Sequence, residues 1–154
     1  MNEVTIERIT IISDEVIAAA QLLTPQLEST NQVNVTPDYL ERIISNPDNF
    51  WLMARRDIDA KIIGMASLVI VAMPTNIRAS LENVVVDRDS RRTGAGTALC
   101  SAAKIIANQQ GVNTLRAAAS KNNSASLRML LREGFNIETS MNYFEVSTNL
   151  IKHC

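Results

Sequence analysis

The sequence predicts an α+β fold: a mixed, mostly antiparallel central sheet with helices on both faces. Three observations carry that expectation. Strand-like runs at 50–54, 62–72 and 79–87 follow one another with only turns between them, as in a meander. Beyond residue 90 the pattern becomes helix, strand, helix, with glycines closing the helices. Before residue 47 two further helical repeats follow an opening strand.

Taken in order, residues 4–11 alternate loosely and read as a strand. Ser13 is an N-cap, and Asp14 and Glu15 suit the positive end of a helix running to about Leu23. Thr36-Pro37-Asp38 starts the next helix: a cap, a proline at the first helical position and an acid in the first turn. Leu40, Ile43 and Ile44 give it an apolar face, and Asn46-Pro47 stops it. The run 62–72 is rich in β-branched residues, and 74–76 turns the chain into the third strand of the meander. A basic, glycine-bearing loop at 91–96 leads into a helix over 95–110, with Leu99, Ala103 and Ile106 on one face and Gly111 closing it. Residues 115–119 read as a strand. Asn122 or Asn123 caps a helix that carries Leu127, Leu130 and Leu131 and ends at Gly134. Short strands at 135–139 and 143–147 complete the order β-α-α-β-β-β-α-β-α-β-β.

The 154 residues, 46% hydrophobic and 20% charged, fit one domain over 1–154. Folding at this size buries roughly 68–70% of the surface, so a core needs neither disulfide nor structural metal. Cys100 and Cys154 lack metal-ligand spacing, and the single histidine, His153, argues against His triads and zinc sites. No metal is expected. The N-terminus shows no signal-peptide pattern, and its most apolar stretch carries Asp14 and Glu15. The expectation is a soluble, cytoplasmic protein with no membrane partner, and a homodimer is compatible with it. Aromatic residues are only 4% of the chain, too few for a base-stacking platform, so no nucleic-acid partner is expected; a basic-patch RNA-binding domain is a distant third reading.

The net charge of −1 hides an asymmetry. Residues 1–59 hold ten acids against four bases, a net of −6, and residues 88–132 hold eight bases against one acid, a net of +7. Either the two halves face ligands of opposite sign or surface charges merely cluster.

The strongest local signal is Val84-Val85-Val86 followed by Arg91-Arg92-Thr93-Gly94-Ala95-Gly96-Thr97. A strand ends, a glycine-bearing loop follows and a helix begins, which makes an anion site from free N–H groups and the helix dipole. Gly94 and Gly96 let the backbone approach a phosphate, and Arg91 and Arg92 add charge of the right geometry. Thr97-Ala98 does not supply the Gly-Lys-Ser/Thr ending of a Walker loop, and Leu99 stands where a dinucleotide fingerprint wants glycine or alanine. A tight turn feeding a helix is the structural alternative.

The remaining pattern, Arg-x-x-Gly-x-Gly behind an apolar strand, resembles motif A of the GNAT superfamily of acetyl-CoA-dependent N-acetyltransferases. Lys121-Asn122-Asn123-Ser124-Ala125-Ser126 through Glu133-Gly134-Phe135 resembles the family's second signature, an Asn-capped helix ending in Gly-Phe. Leu81-Glu82-Asn83-Val84-Val85-Val86-Asp87 is similar to the strand segment before the loop, where relatives carry an acid beside the thioester. The resemblance implies strands splayed at 84–86, with Val84, Val85 and Val86 pairing their backbone with the pantetheine amides. One N–H of the segment would face the thioester oxygen, a preorganised donor worth roughly 2.7–4 kcal/mol by analogy with other oxyanion holes. Arg91, Arg92, Thr93, Gly94, Ala95, Gly96 and Thr97 would grip the pyrophosphate, and Asn123 would hold the pantetheine or phosphate arm. Acetyl-CoA is then the co-substrate, and the acceptor is the primary amine of a small, cationic or amino-sugar-like molecule.

Glu82 is the candidate base, its central-strand position implying partial burial and a raised pKa. The alternative is a structural carboxylate paired with Arg78 or Arg116. One departure matters: where many relatives place a tyrosine that protonates the leaving thiolate, the run Met129-Leu130-Leu131 has no hydroxyl. Tyr143, on a late strand near the cleft, is the candidate replacement, against a packing role. Cys100, inside the helix after the loop, reads as core rather than nucleophile. The reading from another class is a non-catalytic acyl-CoA-binding sensor or interaction module, which the leucine at 130 motivates.

Overall fold

A computed structural model describes residues 3–27 and 34–148. Its sheet follows chain order: β1 Val4–Arg8, β2 Asn49–Arg56, β3 Ile62–Ala72, β4 Ile77–Val86 and β5 Leu115–Ala117. The first four strands are antiparallel neighbours, and β5 joins β4 in parallel. Four α-helices complete the fold: α1 Asp14–Leu23, α2 Pro37–Ile44, α3 Ala95–Gln109 and α4 Ser124–Arg132. The caps read from the sequence form. Ser13 Oγ accepts from the Val16 N–H at 3.2 Å, and Thr36 Oγ1 accepts from the Tyr39 N–H at 3.2 Å.

Strand alternation divides the apolar residues between two cores. On one side Phe50, Leu52 and Ala54 of β2 and Ala66, Leu68 and Ile70 of β3 pack against Leu99, Cys100, Ala103 and Ala107 of α3. On the other, Trp51, Met53 and Met65 pack against Val16, Ala20, Leu23 and Leu40 of α1 and α2. Arg55 ties α1 to the sheet through ion pairs with Glu15 and, at 2.7 Å, Glu7.

β4 carries the feature that shapes the site. Its pairing with β3 runs Ser67↔Glu82 and then Met65↔Val85, so two residues of β4, Asn83 and Val84, oppose one of β3. This is a β-bulge, and Asn83 takes the positive φ of 54° that accommodates it. The extra residue inverts the parity of the strand. Ala79 and Leu81 face the α3 core before it, whereas after it Val84 and Val86 do, and Val85 turns to the α1 core.

Two expectations are corrected here. The strands read at 135–139 and 143–147 are absent: that run forms neither strand nor helix, and Phe144 is 91% exposed. Alternation suits a strand, but strand formation needs a partner ladder for its N–H and C=O groups, and the sheet of the described residues stops at β5. The strand read at 115–119 ends at Ala117.

Candidate active site

β5 pairs with β4 only over Ala79↔Leu115, Ser80↔Arg116 and Leu81↔Ala117. Beyond Leu81 the edge of β4 that faces away from β3 has no strand beside it among the described residues. The Asp87 N–H donates to Ile63 O at 2.7 Å. By the alternation of an antiparallel ladder, Val84 and Val86 therefore turn their N–H and C=O groups toward the open side. An extended amide-bearing ligand can add to such an edge as a strand would.

The open edge runs directly into the loop. Asp87 caps a single 3-10 turn, Arg88–Ser90, and is itself buried at 4% exposure. Its Oδ1 accepts from Gln26 Nε2 at 3.2 Å, while Gln26 Oε1 accepts from the Arg88 N–H at 2.9 Å. Gln26 thus anchors the first turn of the loop from the far end of α1. Thr93 Oγ1 donates to Ser90 O at 2.8 Å. Arg92 takes φ 64° and Gly94 φ 83°, so the loop turns through two left-handed residues before α3 begins. Gly94 is the N-cap, no side chain bonds the helix start, and the first intrahelical bond there is Ala98 N–H to Gly94 O. The amides of Ala95, Gly96 and Thr97 precede that bond and have no intrahelical acceptor. A Cβ on Gly94 would meet nothing within 4 Å, so the approach to these amides is open. Arg91 and Arg92 are exposed beside them, and neither enters an ion pair among the described residues.

The remaining residues singled out in the sequence fall into different roles. Ala95 is buried, so only its backbone can face a ligand. Gly96 serves packing: a Cβ there would come within 2.9 Å of Met129 Sδ, so the glycine lets α4 lie close to α3. The Thr97 hydroxyl donates to Glu133 Oε1 at 2.7 Å, and Lys104 Nζ to Glu133 O at 2.6 Å, which binds α3 to the end of α4. Asn123 caps α4, its Oδ1 accepting from the Ser126 N–H at 3.1 Å, so that oxygen is already engaged. Burial raises the Cys100 thiol to about 11, with Glu133 adding to the shift, as befits a core cysteine.

Glu82 lies beside the bulge on the face opposite α3, accepting from Ser80 Oγ at 2.6 Å. It is exposed, so the partial burial expected of a central strand is absent. Neither Arg78 nor Arg116 pairs with it among the described residues. Tyr143 is 73% exposed on the coil that replaces the late strands, and no hydrogen bond of its hydroxyl ties it to β4 or the loop among the described residues. α4 presents Met129, Leu130 and Leu131 without a hydroxyl, as read. Gln26 and the bulge at Asn83 are the features that sequence reasoning missed. A glutamine near a helix end and an asparagine within an apolar strand carry no signal distinct from ordinary surface residues.

The charge asymmetry resolves in part into local pairs. Arg55 is taken up by Glu7 and Glu15, and the Arg56 guanidinium, hydrogen-bonded to Asp59, holds that carboxyl down at about 2. Among the described residues no group of acids, cysteines or histidines is arranged to hold a metal, and no helix is long and apolar enough to cross a membrane.

Comparison with known proteins bears on the same elements. The fold is similar to an aminoglycoside antibiotic 6'-N-acetyltransferase from Acinetobacter baumannii, with TM-score 0.71, 23% identity, and 94% of this chain and 99% of that one covered. It is similar to an aminoglycoside acetyltransferase from an uncultured soil metagenomic sample, with TM-score 0.77, 18% identity, and 94% and 95% covered. A glucosamine-6-phosphate N-acetyltransferase from Arabidopsis thaliana gives TM-score 0.68 at 18% identity, with 93% and 99% covered. At these identities the likeness is one of fold. No curated protein matches the sequence significantly. The sequence profile described as Acetyltransferase (GNAT) family matches residues 16–135, which run from within α1 through α4 and take in the whole loop. The chain belongs to the acetyltransferase (GNAT) family.

Proposed function

We propose that this protein, acting as one domain over 1–154 in the cytoplasm, transfers the acetyl group of acetyl-CoA to the primary amine of a small acceptor by direct attack on the thioester. The observation that carries the reading is the continuity of an unpaired strand edge at Val84–Val86 with an uncapped helix start at Gly94. Together they offer backbone amides for a pantetheine arm and N–H groups for a pyrophosphate, with Arg91 and Arg92 adding charge.

Acetyl-CoA supplies the activated acyl group. A backbone N–H of the open β4 edge polarises the thioester oxygen, and the bulge directs the strand's alternation so that Val84 and Val86 offer such groups. Glu82, one residue before the bulge, takes the proton of the incoming ammonium directly or through a water, which its exposure permits. The thiolate can leave with little help near neutral pH, since a free thiol ionises near about 8.5. That accounts for a run Met129-Leu130-Leu131 without a hydroxyl. A thiol-release assay across an amine panel tests the reading, and within it Glu82→Gln should lower turnover about 10²-fold with acetyl-CoA affinity nearly unchanged. A Glu82→Gln protein that turns over at the parental rate removes the catalytic role of that carboxylate.

The second reading is an acyl-CoA-binding sensor without turnover. It is favoured by the run Met129-Leu130-Leu131 and by Tyr143 standing outside any strand. Acetyl-CoA binding with no thiol release over the whole panel would establish it in place of the first.

A further inference from the structure

Arg78 and Arg116 have no part in the acetyl-transfer site described above. Arg78 is the second residue of β4 and Arg116 the middle residue of β5, where it pairs with Ser80. Ala79, Leu115 and Ala117 face the α3 core, so the two arginines share the opposite face of the sheet with Ser80 and Glu82. At that end the two strands and the turn after α3 enclose a cleft of about 430 Å³, its walls including Asn76, Arg78, Gly111, Asn113, Thr114 and Arg116. No carboxylate of the described residues lines it. Among the described residues neither guanidinium makes an ion pair or a hydrogen bond. The acid that acts on Arg116 from a distance is Glu138. Its carboxyl is exposed and held below the usual range chiefly by hydrogen bonds from Ser140, with Arg116 the smallest contribution.

Two guanidiniums in one concavity repel each other, and each presents five donors in a rigid fork. Two forks without acceptors match the oxygens of one phosphate or carboxylate, and the Asn76 and Asn113 amides add neutral donors. We propose that this cleft is an anion subsite that holds a phosphate or carboxylate group of a small molecule between Arg78 and Arg116.

The position gives that group one of two sources. Arg116 lies opposite Ser80, two residues from Glu82 and roughly 7 Å along the strand. A single acceptor could therefore place its ammonium at Glu82 and its acidic group in the cleft, an assignment that rests on the acetyl-transfer reading. A separate small anion could also occupy the cleft alone.

Residue-resolved NMR titration of the full chain with inorganic phosphate, acetyl-CoA being present to fill the loop, tests the subsite. Saturable shifts are expected at the amides of Arg78, Gly111, Asn113, Thr114 and Arg116. Arg78→Gln and Arg116→Gln together should weaken binding at least tenfold, while Arg116→Lys, which keeps the charge but loses the fork, should weaken it less than the double variant does. Absent shifts at those residues, or an unchanged affinity in the folded double variant, would overturn the proposal. Thiol release with glucosamine and glucosamine 6-phosphate then separates the sources. A KM lower for the phosphorylated sugar in the parent but not in Arg116→Gln assigns the subsite to the acceptor; equal KM values with phosphate binding intact assign it to a separate anion. If acetyl-CoA fails to bind, the acetyl-transfer reading falls, and the phosphate titration run without it still decides the subsite.

Discussion

α3 and α4 both begin where a loop hands over to a helix, and they begin in opposite ways. α3 starts at a glycine with no side chain on its first amides, and it buries Ala95, Leu99, Cys100, Ala103 and Ala107. α4 starts under the Asn123 side chain and buries none of its residues. The difference teaches where a helix can leave polar groups open. A fifteen-residue helix with five buried residues is held by packing, so its start is free to meet a ligand. A nine-residue helix on the surface needs its ends tied. Asn123 ties one; at the other the Phe135 N–H donates to Leu130 O and the Gly134 N–H to Leu131 O.

The contrast can be broken most severely through packing. Leu99→Ala, at a fully buried position, should cost about 2–5 kcal/mol in urea unfolding, whereas Leu131→Ala, 51% exposed, should stay within about 0.5 kcal/mol. Equal costs would mean that α4 contributes to the core as α3 does. Next comes the open start. Gly94→Asp places a carboxylate on the free amides, and acetyl-CoA affinity measured by calorimetry should fall at least tenfold, about 1.4 kcal/mol. A folded variant with the parental affinity would remove the cofactor assignment of the loop.

Smaller effects sharpen the comparison. Asn123→Ala removes the cap of α4 and should cost about 1 kcal/mol, seen as faster amide exchange confined to 124–132. Loss of exchange protection along α3 as well would show that the two helices unfold together. The smallest effect is chemical. In a Cys154→Ser background, Cys100 should resist alkylation at neutral pH and react only as the pH approaches about 11. Because its folded-state pKa lies above the ordinary value of 9.0, the contribution to stability is whole below pH 9 and declines from there toward 11. Brisk labelling of native protein at pH 7.5 would contradict that burial.

The sequence signals that succeeded were those with a local cause. Ser13, Thr36 and Asn123 cap helices because their side-chain oxygens bond amides three residues on, a rule that needs no tertiary context. The strand-loop-helix at 84–97 was legible because glycines at a strand end punctuate the chain unmistakably. What failed depended on neighbours. Residues 135–147 alternate as strands do, yet no ladder reaches them. Glu82 was expected to be covered because its strand is central, and it is exposed on the sheet face opposite α3. The bulge inverts residues 84–86 between the two faces through Asn83, a residue whose one-letter context is unremarkable. The Thr97 hydroxyl and the missing side chain of Gly96 also serve the contact between α3 and α4, a second role that only the packed structure displays.

The side chain of Gln26 holds both the Asp87 carboxylate and the Arg88 amide, so the segment leaving α1 and the entrance of the loop form one mechanical unit. That joint has a thermodynamic consequence. A ligand that displaces residues 24–27 must work against the same two hydrogen bonds that set the loop, and its binding will alter acetyl-CoA affinity by some factor. Linkage then requires acetyl-CoA to alter the affinity for that ligand by the identical factor. Part of that coupling is carried by one amide side chain, and Gln26→Ala should bring the factor closer to one in calorimetric titrations run with and without acetyl-CoA.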